Sequence, residues 1–196
     1  MYTAGIDEAG RGPLAGPVIA GAVIMPDADQ LVGLKDSKKL SEKQREALYE
    51  IIVVNSIAWG VGRAEPEEID KLNIHHATLL AMKRAYESLE VEATTTLIDG
   101  KFCPELECET QAIIKGDATV PVISAAAIIA KVTRDREMRR YHEQYPAYAF
   151  DRHKGYGTKA HIAAIQEHGI TPIHRKSFTP CCEAVSSRPP SRDLEN

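Results

Sequence analysis

The hydrophobic positions of this chain change rhythm along its length. Tyr2 to Asp7, Pro17 to Met25 (PVIAGAVIM) and Ile57 to Ala64 are runs of strand length, and Glu42 to Val54, between the last two, reads as a helix. Ser41 and Gln44 make a capping box that fixes the start of that helix. Pro66 opens a short acidic helix, and from Ile74 to Leu89 the positions Ile74, Ala77, Leu80 or Ala81, Met82 and Ala85 recur at helical spacing. Thr95 to Ile98 and Gln111 to Ile114 predict two more strands. Val122 to Tyr145 predicts a long helix, apolar at Ala125, Ile128, Ile129 and Val132 before it turns strongly charged, and Pro146 ends it. Thr158 caps a further helix, whose end is marked by His168, Gly169 and Pro172. Strands first, then alternation with helices, predict an α/β fold on a sheet of mixed direction.

Length and composition add bounds rather than chemistry. At 196 residues the chain buries roughly 70% of its unfolded surface around one core. Residues 1–185 are expected to form one domain, and the polar, proline-bearing SSRPPSRDLEN from Ser186 onward is expected to be a disordered tail. The first residues, MYTAGIDEAG, carry no leader pattern, and no apolar stretch approaches the roughly 20 residues that span a bilayer, so a soluble cytoplasmic protein without membrane contact is expected. Cys103, Cys108, Cys181 and Cys182 match no zinc-ribbon spacing and read as reduced thiols.

Charge changes the picture once it is located. The net charge of −4 disfavours nucleic-acid binding, but residues 131–159 hold eight basic against four acidic side chains, while residues 65–109 hold eleven acidic against four basic ones. Phosphate affinity follows the local face rather than the total. Arg139 and Arg140 fit either a phosphate-binding face or the solvated face of a helix.

The chemistry concentrates at the first strand end. Asp7 and Glu8 close an apolar run and are followed by Gly10, Arg11 and Gly12, before a second apolar strand resumes. Carboxylates at a strand end are hard ligands for Mg²⁺ or Mn²⁺, and glycines flanking an arginine let bare backbone approach a sugar-phosphate. A lone Asp-Glu pair commonly just opens a turn; a loop held between two buried strands is a rigid mount for a nuclease site. Asp99 ends the run TTTLID before Gly100, and with Asp117 it completes a set of four acids able to serve two-metal phosphodiester hydrolysis. Taken alone, Asp117 also reads as a turn residue capping its own backbone in Lys115-Gly116-Asp117. Adjacent strand residues point to opposite faces, so Asp7 and Glu8 can share one site only at a bend, bulge or strand edge.

The run GIDEAGRGPLAGPV resembles the N-terminal signature of ribonuclease HII, the type 2 ribonuclease H family. The resemblance continues through Asp36-Ser37-Lys38-Lys39-Leu40-Ser41, Leu97-Ile98-Asp99-Gly100, Lys115-Gly116-Asp117, Ala130 to Asp135, His153 to Thr158 and His174 to Phe178. It implies a ribonuclease-H-like mixed sheet flanked by helices, with a helical C-terminal part. It also implies metal-dependent cleavage of the RNA strand of RNA–DNA hybrids and on the 5′ side of single ribonucleotides in duplex DNA, leaving a 3′-hydroxyl and a 5′-phosphate. The cofactors would be two Mg²⁺ or Mn²⁺ ions, and the protein a monomer.

By the same resemblance Asp117 becomes a fourth metal ligand, and Gly10, Arg11, Gly12 and Tyr156 sense the ribose 2′-OH at an RNA–DNA junction. Lys38, Lys154 and Arg175 look like phosphate clamps. Asp135, within Arg134-Asp135-Arg136, reads either as an ion-pair partner of its neighbours or as an accessory carboxylate. His75 and His76 lack partner ligands at metal spacing and read as structural or exposed. One departure is Ala127, where the family commonly has serine. The rival readings are another two-metal nuclease, which needs no 2′-OH reader, and a non-catalytic nucleic-acid-binding module.

Overall fold

The computed structural model describes residues 1–26 and 40–186; Lys38, with residues 36–39 of its motif, and the tail beyond 186 lie outside the described residues. Strands β1 (Thr3–Ala9), β2 (Val18–Ile24), β3 (Ala58–Ala64), β4 (Thr95–Asp99) and β5 (Glu109–Ile113) form a five-stranded sheet in the order β3-β2-β1-β4-β5. β1 pairs antiparallel with β2 and parallel with β4, so the sheet is mixed, as the strand-then-alternation pattern predicts. β5 starts two residues earlier than the sequence suggests and pairs parallel with β4.

The helices are α1 (Glu42–Asn55), α2 (Pro66–Glu87), α3 (Gly116–Thr119), α4 (Pro121–Gln144), α5 (Phe150–His153), α6 (Lys159–His168) and α7 (Cys181–Ser186). The Ser41–Gln44 capping box is present at the start of α1. Pro66 begins α2, which breaks at Asn73 (φ 65°); the Asn73 side chain accepts from the backbone N–H of His75 and His76, restarting the helix. The predicted acidic helix and the helix from Ile74 are thus two arms of one kinked element.

α2 and α4 cover opposite faces of the sheet. Ala20, Ala22 and Ile98 pack with Ala77, Ala81 and Met82 on one face, and Val23 packs with Ala126, Ile129 and Val132 on the other. Gly21 shows why β2 carries small residues: a Cβ there would lie 2.5 Å from the Ala126 carbonyl oxygen, so only glycine lets α4 sit this close. A third core, of Leu14, Met138, Tyr148, Phe150 and Ile165, fastens the C-terminal helices to the loop after β1. The four cysteines are free thiols. Among the described residues no helix is long and apolar enough to cross a membrane.

Candidate functional site

β1 and β4 lie parallel and adjacent, so their C-terminal ends come out side by side, where open sheets gather ligands. The β1–β4 pairing stops at Ile6 opposite Ile98, whereas β1 continues beside β2 through Ala9. Asp7 and Glu8 therefore stand on a strand edge, one of the three arrangements expected for them. The Asp7 carboxylate folds back to accept the Glu8 backbone N–H at 2.7 Å, and this turn lets both acids reach one site. Ligand oxygens of Asp7, Glu8 and Asp99 all lie within 4.8 Å of one another.

Asp117 joins from α3. Its backbone N–H donates to Asp99 Oδ1 at 3.2 Å, and it lines the same cleft of about 510 Å³. Lys115, in the left-handed region at φ 59°, makes the turn that starts α3, and the Ser124 hydroxyl on α4 donates to the Asp117 carbonyl. The Lys-Gly-Asp turn and the position beside the other acids are both present; they are not alternatives.

Burial pushes the Asp7 carboxyl well above the usual carboxylate range, and Glu8 and Asp99 beside it push the same way. Burial also raises Glu8, while the Arg11 guanidinium, 3.3 Å from Glu8 Oε1, pulls it down. Glu8 Oε2 is buried without a hydrogen-bond partner among the described residues. Crowded oxygens with an orphaned acceptor and no nitrogen or sulfur donor are a set suited to a hard divalent cation, so the residues fit such an ion.

The Gly10-Arg11-Gly12 loop runs along the same cleft and is held from behind. Gly10 has φ 95°, and a Cβ on it would lie 2.0 Å from Arg134 Nε, so both its conformation and its surroundings demand glycine. Arg175 donates to the carbonyls of Gly10, Arg11 and Gly16, and Arg134 to those of Ala15, Pro17 and Lys154. Both guanidinium groups are buried, and among the described residues neither has a carboxylate partner. Burial lowers both from the usual arginine range, Arg175 to about 9. The Tyr156 ring lies beside Gly12 and is 46% exposed at the mouth of the cleft.

These positions correct one sequence expectation and qualify others. Arg175 is no phosphate clamp: it is fully buried and spends its donors on loop carbonyls, because three inward-facing carbonyls need a forked donor. The Lys154 ammonium turns to the Asp151 carbonyl and toward Glu42 at 3.7 Å, and Lys154 is not among the residues lining the cleft. Asp135 is buried and pairs with Lys131 at 2.7 Å rather than with its arginine neighbours, one turn along α4. The basic stretch is largely committed internally: Arg136 and Arg139 reach across to Glu42, Glu46 and Glu50 of α1. Arg140 is exposed.

Three cleft residues escaped the sequence reading. Arg45 of α1, with a buried Nε lacking a partner among the described residues, and Lys131 line the cleft with the acids; nothing in its local sequence marks Arg45, and Lys131 is legible only as a member of the basic stretch. Arg134 was legible in principle, since it lies four residues from both Ala130 and Met138 on the buried stripe of α4. Ala127 also lines the cleft and presents only a methyl there. His75 opens the second arm of α2 and packs edge-on against Phe102, with ring centroids 4.8 Å apart.

Comparison with known proteins places this architecture. The family model described as ribonuclease HII matches residues 4–181. Ribonuclease HII of Coxiella burnetii is 63% identical over 180 residues, covering 92% of this chain and 89% of the relative. Ribonuclease HII of Dechloromonas aromatica is 55% identical, covering 93% of each. Among solved structures, ribonuclease H2 from Pyrococcus horikoshii superposes with a TM-score of 0.81 at 27% identity, over 95% of this chain and 98% of that one.

Proposed function

The chain belongs to the ribonuclease HII family and is an endoribonuclease acting on RNA–DNA hybrids, and from that premise we propose that it also cuts on the 5′ side of a single ribonucleotide embedded in duplex DNA. The observation that carries this reading is the adjacency of Asp7, Glu8 and Asp99 to a rigidly braced Gly10-Arg11-Gly12 loop and an exposed Tyr156 in one cleft.

Asp7, Glu8, Asp99 and Asp117 are the residues that would hold divalent ions, Mg²⁺ or Mn²⁺, which would supply activation of a water and stabilisation of charge on the leaving 3′ oxygen. The protein's own part is positioning. The loop offers its backbone to the 2′-OH, the group that separates RNA from DNA. Arg175 fixes that backbone by taking the Gly10 and Arg11 carbonyls, Arg134 braces the segment that follows through the Ala15 and Pro17 carbonyls, and Tyr156 stacks on the sugar beside the scissile phosphate. Lys131 and Arg45 give the cleft wall positive charge facing the strand's phosphates. The products are a 3′-hydroxyl and a 5′-phosphate.

The test is cleavage of a duplex with one embedded ribonucleotide, mapped at nucleotide resolution with Mg²⁺ and with EDTA. One cut 5′ to the ribonucleotide, absent with EDTA, is the expected result, and an all-DNA duplex should bind yet stay uncut. Tyr156→Ala should cost roughly 5- to 150-fold on this substrate, the range of a lost stacking contact, and less on a long hybrid that offers many registers. Equal losses on the two substrates would remove Tyr156 from junction recognition, and cutting of the all-DNA duplex would overturn the loop as a 2′-OH reader.

A further inference from the structure

Behind Tyr156 lies a buried group of imidazoles that the reaction as described does not use. His161 and His174 are fully enclosed, with their Nε2 atoms 3.0 Å apart, and His153 stacks on His161 with ring centroids 4.6 Å apart. Tyr148 and Phe150 pack around them.

The hydrogen bonds fix every proton in this group. The Thr171 backbone N–H lies 2.9 Å from His174 Nδ1, and an N–H only donates, so His174 Nδ1 is the bare acceptor. A neutral His174 must then carry its proton on Nε2 and donate it to His161 Nε2. That leaves the His161 proton on Nδ1, which donates to the Tyr156 carbonyl at 3.0 Å. His153 is fixed the same way: Gly155 N–H donates to its Nδ1, and its Nε2 donates to the Tyr148 carbonyl at 2.7 Å. The chain of donation runs one way, from Thr171 through His174 and His161 to the backbone of Tyr156.

A side-chain donor on the carbonyl of an exposed aromatic sets the direction of the loop that presents it. The Tyr156 carbonyl also takes the Thr158 backbone N–H at 2.8 Å, and the Gly155 carbonyl takes the Leu14 N–H at 2.8 Å, so residues 155 and 156 are held from both sides. We propose that His161 and His174 are positioning residues for substrate recognition: as a neutral pair of defined tautomers they aim Tyr156 at the cleft beside Gly12, and so set the rate of cutting at a single ribonucleotide relative to that on a continuous hybrid. This rests on the reading of Tyr156 given above.

The experiment has a spectroscopic and a kinetic arm. Nitrogen-15 imidazole spectra of the intact protein at neutral pH should show His161 protonated on Nδ1, the minor tautomer of a free histidine side chain, and His174 protonated on Nε2. Either ring charged, or in the opposite tautomer, overturns the relay. In cleavage assays His161→Leu should lower the single-ribonucleotide preference about fivefold or more, the scale of one lost hydrogen bond. His161→Asn, which keeps a donor in the Nδ1 position, should restore most of it. In a Tyr156→Ala background, His161→Leu should change the preference no further. Equal losses on both substrates, or the same loss with and without the Tyr156 ring, would reduce His161 to a packing residue. Should the Leu variant fail to fold, the spectra and the Asn variant still decide. If Tyr156→Ala itself leaves the preference unchanged, the reading of Tyr156 falls while the tautomer result stands by itself.

Discussion

The two halves of the cleft bury charge on opposite terms. At the sheet edge Asp7, Glu8 and Asp99 crowd three carboxylates together, with Arg11 the one cation ion-paired to them among the described residues. A few residues on, Arg134 and Arg175 bury two guanidinium groups among neutral carbonyls. Buried charges are normally paired, so each half departs from the rule. The acids repel one another and leave an acceptor unsatisfied, a cost that the fold carries for the sake of a cation to come. Every nitrogen of the two guanidinium groups makes at least one hydrogen bond, and their cost is offset within the fold itself. Removing an acid should therefore cost function and spare stability; removing an arginine should do the reverse.

The largest effect should come from Asp7→Asn and Asp99→Asn, which delete charge at constant volume. Each should lower the cleavage rate at least on the order of 10²-fold, as loss of a ligand to a reacting metal does. Their melting temperatures without metal should equal or exceed that of the wild type, because repulsion is relieved. Divalent ions should raise the melting temperature of the wild type and lose that effect in Asp7→Asn, since a ligand that binds only the native state stabilises it. Near-normal turnover by both variants at saturating Mg²⁺ would break the comparison.

Next in size is Arg175→Met. Each buried carbonyl left without a donor costs about 1–3 kcal/mol, and part of that is returned because a cation no longer has to be desolvated. A net loss of about 3 kcal/mol corresponds to a melting temperature lower by about 6–12 °C in a domain of this size. Arg175→Lys should recover little, because one ammonium cannot replace a fork serving Gly10, Arg11 and Gly16. A thermal scan decides it, and an Arg175→Met protein as stable as the wild type would show that the carbonyls find water instead.

The same contrast explains what could be read beforehand. Asp7, Glu8 and Asp99 were visible because a carboxylate closing an apolar run announces itself one-dimensionally, and the strand edge that unites them follows from the two-residue period of β1. The bracing role of Arg134 and Arg175 was not legible, Arg175 reading as a phosphate clamp and Arg134 only as part of the basic stretch, because burial of a cation depends on carbonyls distant in sequence: Arg175 answers Gly10 across 165 positions. The basic stretch from 131 to 159 misled in the same way, its partners Glu42, Glu46 and Glu50 being set on α1 about 90 residues away. The capping box of α1 and the separation of the acidic helix from the one beginning at Ile74 were legible because their causes are local.

The imidazoles behind Tyr156 extend the comparison to pH. Burial lowers His161 and His174 to about 4, and it also lowers His153. Groups facing His161 include His153 and the Tyr156 carbonyl; those facing His174 are His161 and Thr171. The unfolded chain takes up these protons from about pH 6.5 downward while the native state refuses them until about 4. The histidines' contribution to stability is therefore fully present above pH 6.5 and is lost as pH falls through that window. Glu42 and Glu68, whose paired carboxyls are lowered from 4.5, add a loss of the same sign only below that value. Asp7 and Glu8, whose carboxyls burial raises, act with the opposite sign as pH falls, so the histidine contribution is read in an Asp7→Asn, Glu8→Gln background. Melting temperatures there should fall between pH 7 and 5, and His161→Asn should flatten the slope. An unchanged slope would mean that the imidazoles are solvated in the native state.

The smallest effect tests the exposed side of the comparison, where charge is paired but not buried. Arg139 joins Glu42 and Glu46 across the α1–α4 contact, with its side chain 40% exposed. Exposed pairs of this kind contribute about 0–1 kcal/mol, since water screens them and the side chains lose freedom in making them. Arg139→Ala should thus move the melting temperature only slightly, and it should leave the salt dependence of hybrid binding unaltered, because the guanidinium is already committed to carboxylates. Lys131→Ala should behave differently. Its ammonium lines the cleft although it pairs with Asp135, and loss of a phosphate contact lowers the slope of log affinity against log salt by up to about one unit. Binding isotherms at several salt concentrations separate the two. A slope that falls for Arg139→Ala and holds for Lys131→Ala would place the phosphate-binding face on the outer side of α4 rather than on the wall of the cleft.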